Sequence, residues 1–422
     1  MLLINIRQLL GTHTANQFLR GEAMAQLPTI PNAYLRIHDG RIADFGPMSE
    51  LRDQLDEEVV DALDRLVLPA WCDSHTHLVF AGCRESEFVD KLKGLTYAEI
   101  AARGGGIQNS ARTLQQTSEA ELYRSAKERL QEIMRTGTGA VEIKSGYGLT
   151  VADELKMLRV IKRLRADHEI TIKSTFLGAH AIPSRLQGDK EAYIREIIED
   201  MLPVIAREGL ADYIDVFCEK GFFELRETRR ILQAGKRFGL RPKLHANQLN
   251  NFGAVQLGVD ENALSVDHLE NIGKAEIASL RDSNTIPTLL PGAAFFLRMN
   301  YPPARQMIDA GLGVALATDY NPGSAPSGNI PYLLALSCIQ MRMLPEEGIN
   351  ALTLNGACAM EVQDELGSIA PGKKANLILS KPVPSLAYLP YAFGNNWVDR
   401  VIINGKTVHQ SYPSYAEVED LR

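Results

Sequence analysis

The chain has 422 residues, 45% of them hydrophobic and 23% charged, with a formal net charge of −7; this is a folded globular composition, long enough for one barrel-sized domain plus a smaller companion. The acidic balance excludes nucleic acid and anionic membrane as main partners, because both reward clustered cations, and an anionic substrate then needs locally placed cations. Five cysteines (Cys72, Cys83, Cys218, Cys338, Cys358) with no CxxC pair exclude a disulfide framework and fit a reducing compartment.

The apolar start at residues 1–4 is interrupted by Asn5, Arg7 and Gln8 before a signal-peptide core or a membrane span forms, so a cytoplasmic protein is expected. Residues 1–65 hold short strands broken by turns, such as Tyr34-Leu35-Arg36-Ile37-His38 before Asp39-Gly40, a hairpin signal. A first barrel strand is expected over 66–72, with Pro69 a blemish because proline removes a ladder donor. From about residue 120 to 318 helical patterns alternate with short β-branched runs, the signature of βαβ units. The pairs are helix 119–136 with strand 140–144, helix 152–167 with strand 170–177, helix 190–208 with strand 213–217, and helix 225–238 with strand 241–244. Helix 253–257 with strand 263–267, helix 274–282 with strand 285–290, and helix 304–310 with strand 314–318 continue the series.

Gly137, Gly209, Gly239, Gly258 and Gly311 fit left-handed helix caps. Eight parallel strands predict closure into a (β/α)8 TIM-type barrel over 66–360, although an open doubly wound sheet shows the same alternation. Residues 361–422 return to short strands, with Val401-Ile402-Ile403 before Asn404-Gly405. Together with 1–65 they are expected to form one small β-sandwich domain built from both termini.

In such a barrel functional side chains sit at the C-terminal ends of the strands. The first strand ends in Asp73-Ser74-His75-Thr76-His77, the third in His180, the fifth in His245, the sixth in His268 and the eighth in Asp319. Residues i and i+2 of a strand share a face, so His75 and His77 stand side by side, and His245 and Asp319 can complete a metal shell from the opposite wall. Imidazoles with one carboxylate suit Zn2+, and an iron site is also chemically reasonable. A lone His-x-His is usually incidental and a lone strand-end Asp is more often a helix cap. Chance rarely puts all four at one barrel mouth. Cys72, Cys83 and Cys218 are read as buried thiols near that mouth. Arg84 follows in a loop that faces the site, where a guanidinium can grip a carboxylate; a surface salt bridge is the bland alternative. Ser145-Gly146-Tyr147-Gly148 offers a turn that can present the Tyr147 hydroxyl, and Gly104-Gly105-Gly106 reads as a flexible lid rather than a phosphate loop.

These residues carry a resemblance to a known family. Val67-Leu68-Pro69-Ala70 leading to His75-Thr76-His77, the later His245, His268 and Asp319, and the tail Gly367-Ser368-Ile369-Ala370-Pro371-Gly372-Lys373 resemble the amidohydrolase superfamily. Within it, Phe80-Ala81-Gly82-Cys83-Arg84, Lys144-Ser145-Gly146-Tyr147-Gly148, Gly178-Ala179-His180-Ala181 and Asp319-Tyr320-Asn321-Pro322-Gly323-Ser324 are similar to the imidazolonepropionases. The resemblance implies one Zn2+ or Fe2+/Fe3+ per subunit held by His75, His77, His245 and Asp319. It implies substrate contacts from Arg84, Tyr147 and His180, with Asn321, Gly323 and Ser324 near the product, and a homodimer. The implied reaction is hydrolysis of the cyclic amide of 4-imidazolone-5-propanoate, a small anionic heterocycle, to N-formimidoyl-L-glutamate in histidine breakdown. Gln248 departs from relatives that carry Glu three residues after the strand-five His. An amide cannot shuttle protons, so His268 and Asp319 are the expected acid/base pair, and Gln248 is expected to hydrogen-bond the ring amide. The rival readings are an amidohydrolase of another kind, such as a heterocycle deaminase, which released ammonia would reveal, and a metal-free binding protein on the same barrel.

Overall fold

A computed structural model describes residues 1–52, 58–95, 99 and 105–411. The strands in chain order are β1 (Leu2–Leu10), β2 (Thr29–His38), β3 (Arg41–Pro47), β4 (Val59–Asp61), β5 (Leu66–Pro69), β6 (Trp71–Thr76), β7 (Thr138–Lys144) and β8 (Thr171–Ala179). They continue as β9 (Tyr213–Cys218), β10 (Arg241–Ala246), β11 (Ser265–His268), β12 (Ile286–Leu289), β13 (Ala315–Leu316), β14 (Leu377–Ser380), β15 (Val398–Ile403) and β16 (Lys406–Gln410).

Strands β6 to β13 form one parallel eight-stranded sheet in sequence order. It closes on itself: Asp319 N donates to His75 O at 3.0 Å and His77 N to Tyr320 O at 3.0 Å, joining the chain after β13 to the end of β6. The (β/α)8 barrel expected from the alternation is therefore present, and the open-sheet alternative falls. Helices cover its outside, most of them through an apolar stripe. Glu119–Arg135, for example, buries Leu122, Ala126, Leu130 and Ile133 and starts in a capping box between Ser118 and Glu121.

Three details differ from the sequence reading. The single strand expected over 66–72 is two strands in different sheets: Leu66–Pro69 pairs with β1 and β14, and Trp71–Thr76 opens the barrel. The chain changes sheets at Ala70, just past the ring that cannot donate, which removes the difficulty of a proline inside a barrel strand. The helix expected over 190–208 contains a π-helical turn, Glu196–Met201, between two α-helical pieces. Gly258 is no cap. It lies inside helix Ala254–Asp260, and a Cβ there would stand 2.5 Å from Val266 Cγ1, so close packing on β11 requires the glycine.

The two termini build the small β-domain as one mixed sheet of order β16-β15-β14-β5-β1-β2-β3, with β4 also on β1. Both hairpin turns form where Asp-Gly and Asn-Gly stand, between β2 and β3 and between β15 and β16. Alternation along its strands divides the side chains. Leu66, Leu68, Ile378 and Val401 join the barrel's core, while Val67, Leu377, Leu379 and Ile402 close a separate small core. Strand β5 thus anchors the small domain and hands the chain directly to β6, whose C-terminal end carries the site.

Candidate functional site

His75 and His77 project from the end of β6 into the barrel mouth, fully or almost fully buried, with His245 from β10, His268 from β11 and Asp319 after β13. His77 Nε2 and His245 Nε2 are 3.4 Å apart. Asp319 Oδ1 lies 3.5 Å from both His75 Nε2 and His77 Nε2. One donor atom from each of His75, His77 and His245 falls within 4.8 Å of the others, as do those of His75, His268 and Asp319.

These donors fit a metal ion. His75 Nδ1 donates to Asp267 Oδ2 at 2.6 Å, so its Nε2 carries the lone pair, and that atom is buried without a hydrogen-bond partner among the described residues. Burial, reinforced by Lys144 and the neighbouring imidazoles, holds His75 well below the usual imidazole range; for His77 burial and then His180 do the same. Neutral imidazoles aimed at one carboxylate are the protonation state a cation requires.

Beneath them lies a buried ionic lattice that sequence reasoning missed. Lys144 Nζ donates to Glu142 Oε1 at 2.6 Å and Asp215 Oδ2 at 2.9 Å, and lies 3.6 Å from Asp267 Oδ2. Lys243 pairs with the other oxygen of Glu142 and donates to Ser74 O at 3.2 Å. Asp215 in turn lies 3.0 Å from His245 Nδ1 and accepts His245 N at 3.1 Å. The signal was available: Glu142 and Lys144, and Lys243 and His245, stand two apart near the ends of barrel strands, so each pair shares a face.

Around the cluster, Tyr147 and His180 adjoin His77. The His180 ring stacks on His77 with centroids 5.2 Å apart, and the Tyr147 ring is 5.4 Å from His180. His180 Nδ1 donates to Gly146 O at 3.1 Å, and burial followed by His245 pushes its pKa down to about 3, leaving a neutral ring. Gly146 has φ 115° and a Cβ on it would meet His180 Nδ1 at 2.7 Å, so only glycine permits this turn. Glu154, also missed, cradles the turn by accepting Gly146 N at 3.0 Å, Gly148 N at 2.7 Å and Leu149 N at 3.1 Å.

Asn321, Gly323 and Ser324 form the turn beside Asp319. Asn321 Oδ1 accepts Gly323 N and Ser324 N, both at 2.8 Å, and Ser324 Oγ donates to Asp319 Oδ2 at 3.2 Å. Arg84 reaches the same turn: a Cβ on Gly323 would stand 2.1 Å from Arg84 Nη1. His268 Nδ1 is 3.2 Å from Glu270 Oε1; burial alone would lower His268, but the Glu270 carboxylate raises it to about 9. Gln248 sits on the loop after β10, which Glu219 holds by accepting Leu249 N at 2.8 Å and Asn250 N at 3.1 Å. Among the described residues no hydrogen bond joins the Gln248 side chain to the cluster.

Cys72 and Cys218 are buried, but Cys83 is exposed and donates to Glu85 at 2.5 Å, which corrects the expectation of three buried thiols. Lys220 is exposed. Of the glycine run, Gly104 lies outside the described residues, and Gly106 precedes helix Ile107–Gln116.

Comparison with known proteins agrees with this geometry. Residues 66–408 match the model of the amidohydrolase family. The chain is 56% identical to the imidazolonepropionase of Flavobacterium johnsoniae, over 96% of this chain and 99% of that one. It is 53% identical to the imidazolonepropionase of Christiangramia forsetii, over 97% and 100% respectively. Among solved structures, a triazine hydrolase variant superposes with a TM-score of 0.76 at 16% identity, covering 100% of this chain and 98% of that one. An adenosine deaminase from Xanthomonas campestris with bound zinc does so with a TM-score of 0.72 at 15% identity, over 100% and 96%. Those two likenesses show the shared fold.

Proposed function

Because the chain belongs to the imidazolonepropionases of the amidohydrolase family, we propose that the barrel-mouth cluster is its active site, with His75, His77, His245 and Asp319 as ligands of one divalent metal. The protein is a hydrolase of histidine degradation, and its substrate is the small heterocycle 4-imidazolone-5-propanoate. Water adds to the ring carbonyl carbon, the carbon–nitrogen bond breaks, the nitrogen takes a proton, and N-formimidoyl-L-glutamate results.

The observation that carries the reading is the gathering of imidazole nitrogens from His75, His77 and His245 in a buried mouth, with Asp319 Oδ1 3.5 Å from two of them. When bound there, the ion supplies Lewis acidity and lowers the pKa of water toward neutrality. Arg84 holds the propanoate carboxylate by charge-assisted hydrogen bonds. Tyr147 and neutral His180 flank the ring, the hydroxyl as donor. Asp319 takes the proton that leaves the water, and His268, kept protonated beside Glu270, gives a proton to the departing nitrogen. Gln248 reads the ring amide as donor and acceptor. Asn321, Gly323 and Ser324 brace Asp319 and face the product.

Three imidazoles and one carboxylate suit Zn2+ or iron as Fe2+/Fe3+. A single ion is the proposal because Lys220, the lysine after β9, is exposed rather than turned into the mouth. We also propose the family's homodimer and a cytoplasmic location; no helix among the described residues is long and apolar enough to cross a membrane. The test combines elemental analysis with turnover of the imidazolone. One ion per chain and formimidoylglutamate without ammonia are expected. Two tightly held ions, or ammonia release, would overturn the assignment.

A further inference from the structure

We propose that Glu87 is a positioning residue for substrate recognition: it fixes the Arg84 guanidinium along one edge and ties it to the loop at Gly106, so that the opposite corner is presented to the substrate carboxylate. The proposal rests on the reading of Arg84 as the propanoate-binding residue.

Arg84 leads into helix Glu85–Leu92, which puts Glu87 three residues on and within reach of the same guanidinium. Arg84 Nε donates to Glu87 Oε2 at 2.9 Å and Nη2 donates to the same oxygen at 2.8 Å. One carboxylate oxygen therefore takes the whole Nε–Nη2 edge. The other, Oε1, accepts Gly106 N at 3.1 Å and Asn109 Nδ2 at 3.2 Å. Both side chains are sheltered, with 12% of Arg84 and 8% of Glu87 exposed. The Nη1 corner points away from Glu87 and lies over Gly323, in the turn that braces Asp319.

A free arginine side chain carries large rotamer entropy, which binding a carboxylate would have to remove. Glu87 removes it in advance. A guanidinium clasped on its side edge keeps its end edge, Nη1 with the second hydrogen of Nη2, in a fixed direction for a planar two-oxygen partner. Burial pushes the Glu87 carboxyl up, but the bonds from Arg84, Gly106 and Asn109 outweigh it and hold it below its ordinary range, so the clasp is ionic. A carboxylate competing with substrate for one edge would inhibit binding; here the two partners address different edges, so the expected sign is assistance.

The experiment is a double-mutant cycle of Glu87→Gln and Arg84→Met, reading kcat and KM for 4-imidazolone-5-propanoate, the dissociation constant of N-formimidoyl-L-glutamate and metal content. Glu87→Gln should raise KM and the product constant roughly 5- to 20-fold, with kcat and metal content little changed, because a neutral amide replaces a charge-assisted bond. In the Arg84→Met background the same change should have no further effect. An equal loss in both backgrounds would mean that Glu87 acts only by holding the Gly106 loop, and an unchanged or lower KM would also overturn the proposal. If Arg84→Met itself leaves KM unaltered, the assignment of Arg84 falls; if it raises KM while Glu87→Gln does not, this inference falls alone.

Discussion

Asp267→Asn separates the proposed ligand set from the lattice beneath it. Asp267 Oδ2 receives the Nδ1 proton of His75 at 2.6 Å, and its other oxygen accepts Ser265 Oγ at 2.5 Å. The carboxylate thus fixes the tautomer that leaves His75 Nε2 free, and its charge makes that nitrogen more basic. Asparagine has the same shape and can still offer a carbonyl oxygen to Nδ1, so tautomer and packing survive while the charge is lost. Removing such an outer partner typically weakens metal binding about 10- to 100-fold, or roughly 1.4–2.7 kcal/mol. The assay is equilibrium competition for the metal against a chelator of known affinity, with the thermal transition of the metal-free protein as control. A dissociation constant within twofold of the unmodified protein would refute the argument that Asp267 tunes the site through His75.

Four further outcomes follow from the geometry. With metal content unchanged, His268→Ala should lower kcat by about 10² to 10⁴, the range for a lost proton-transfer group, and Gln248→Ala by much less; an equal or larger loss for Gln248→Ala would assign the chemistry to the wrong residue. Gly146→Ala places a Cβ 2.7 Å from His180 Nδ1 at φ 115° and should depress kcat/KM by at least tenfold, since a roughly 1 Å displacement of a positioned group is costly; wild-type kinetics would show that the turn relaxes freely. Gly258→Ala drives a methyl to 2.5 Å from Val266 Cγ1 and should destabilise the barrel by about 1–3 kcal/mol without changing metal affinity, read by denaturation. Burial alone would raise Glu142, but Lys144 and Lys243 hold it below its ordinary 4.5, so it contributes stability that is present above 4.5 and lost as pH falls through the lower folded value. Glu142→Gln should therefore melt lower at neutral pH and lose less on acidification; parallel melting curves against pH would contradict this.

Much of the barrel was legible because parallel strands alternate with helices at a regular beat, and strand ends then name the mouth without further information. His75, His77, His245 and Asp319 could be placed together from that rule alone. The break at Ala70 was not legible, because β5 and β6 read as one apolar run and only distant partners, β1 before it and β14 about 300 residues after it, assign the first half to another sheet. Gly258 was misread for a similar reason: its demand comes from Val266 on a neighbouring strand and leaves no local mark. Glu87 and Glu154 look like ordinary helix-start carboxylates in the sequence, and their roles arise from loops that fold back onto them. The lattice of Glu142, Lys144, Asp215 and Lys243 was readable in principle, since charges at i and i+2 on a barrel strand face inward, where an unpaired charge is intolerable.

The shared sheet of the two termini sets a timetable for synthesis. Strand β5 lies between β1 and β14, and Pro69 is in register with Leu377. Between those two residues the ribosome adds roughly 300 others, which takes about 15–60 s at ordinary elongation rates. For that interval β5 presents an open edge, a template for wrong pairing, and the strand bearing His75 and His77 hangs from an unfinished sheet. Chains stalled before residue 377 should leave residues 66–76 open to proteolysis, whereas protection at that length would show that the barrel closes unaided. Competence to hold metal should accordingly arrive only as the last segments emerge, which makes the C-terminal strands the final gate on an active molecule.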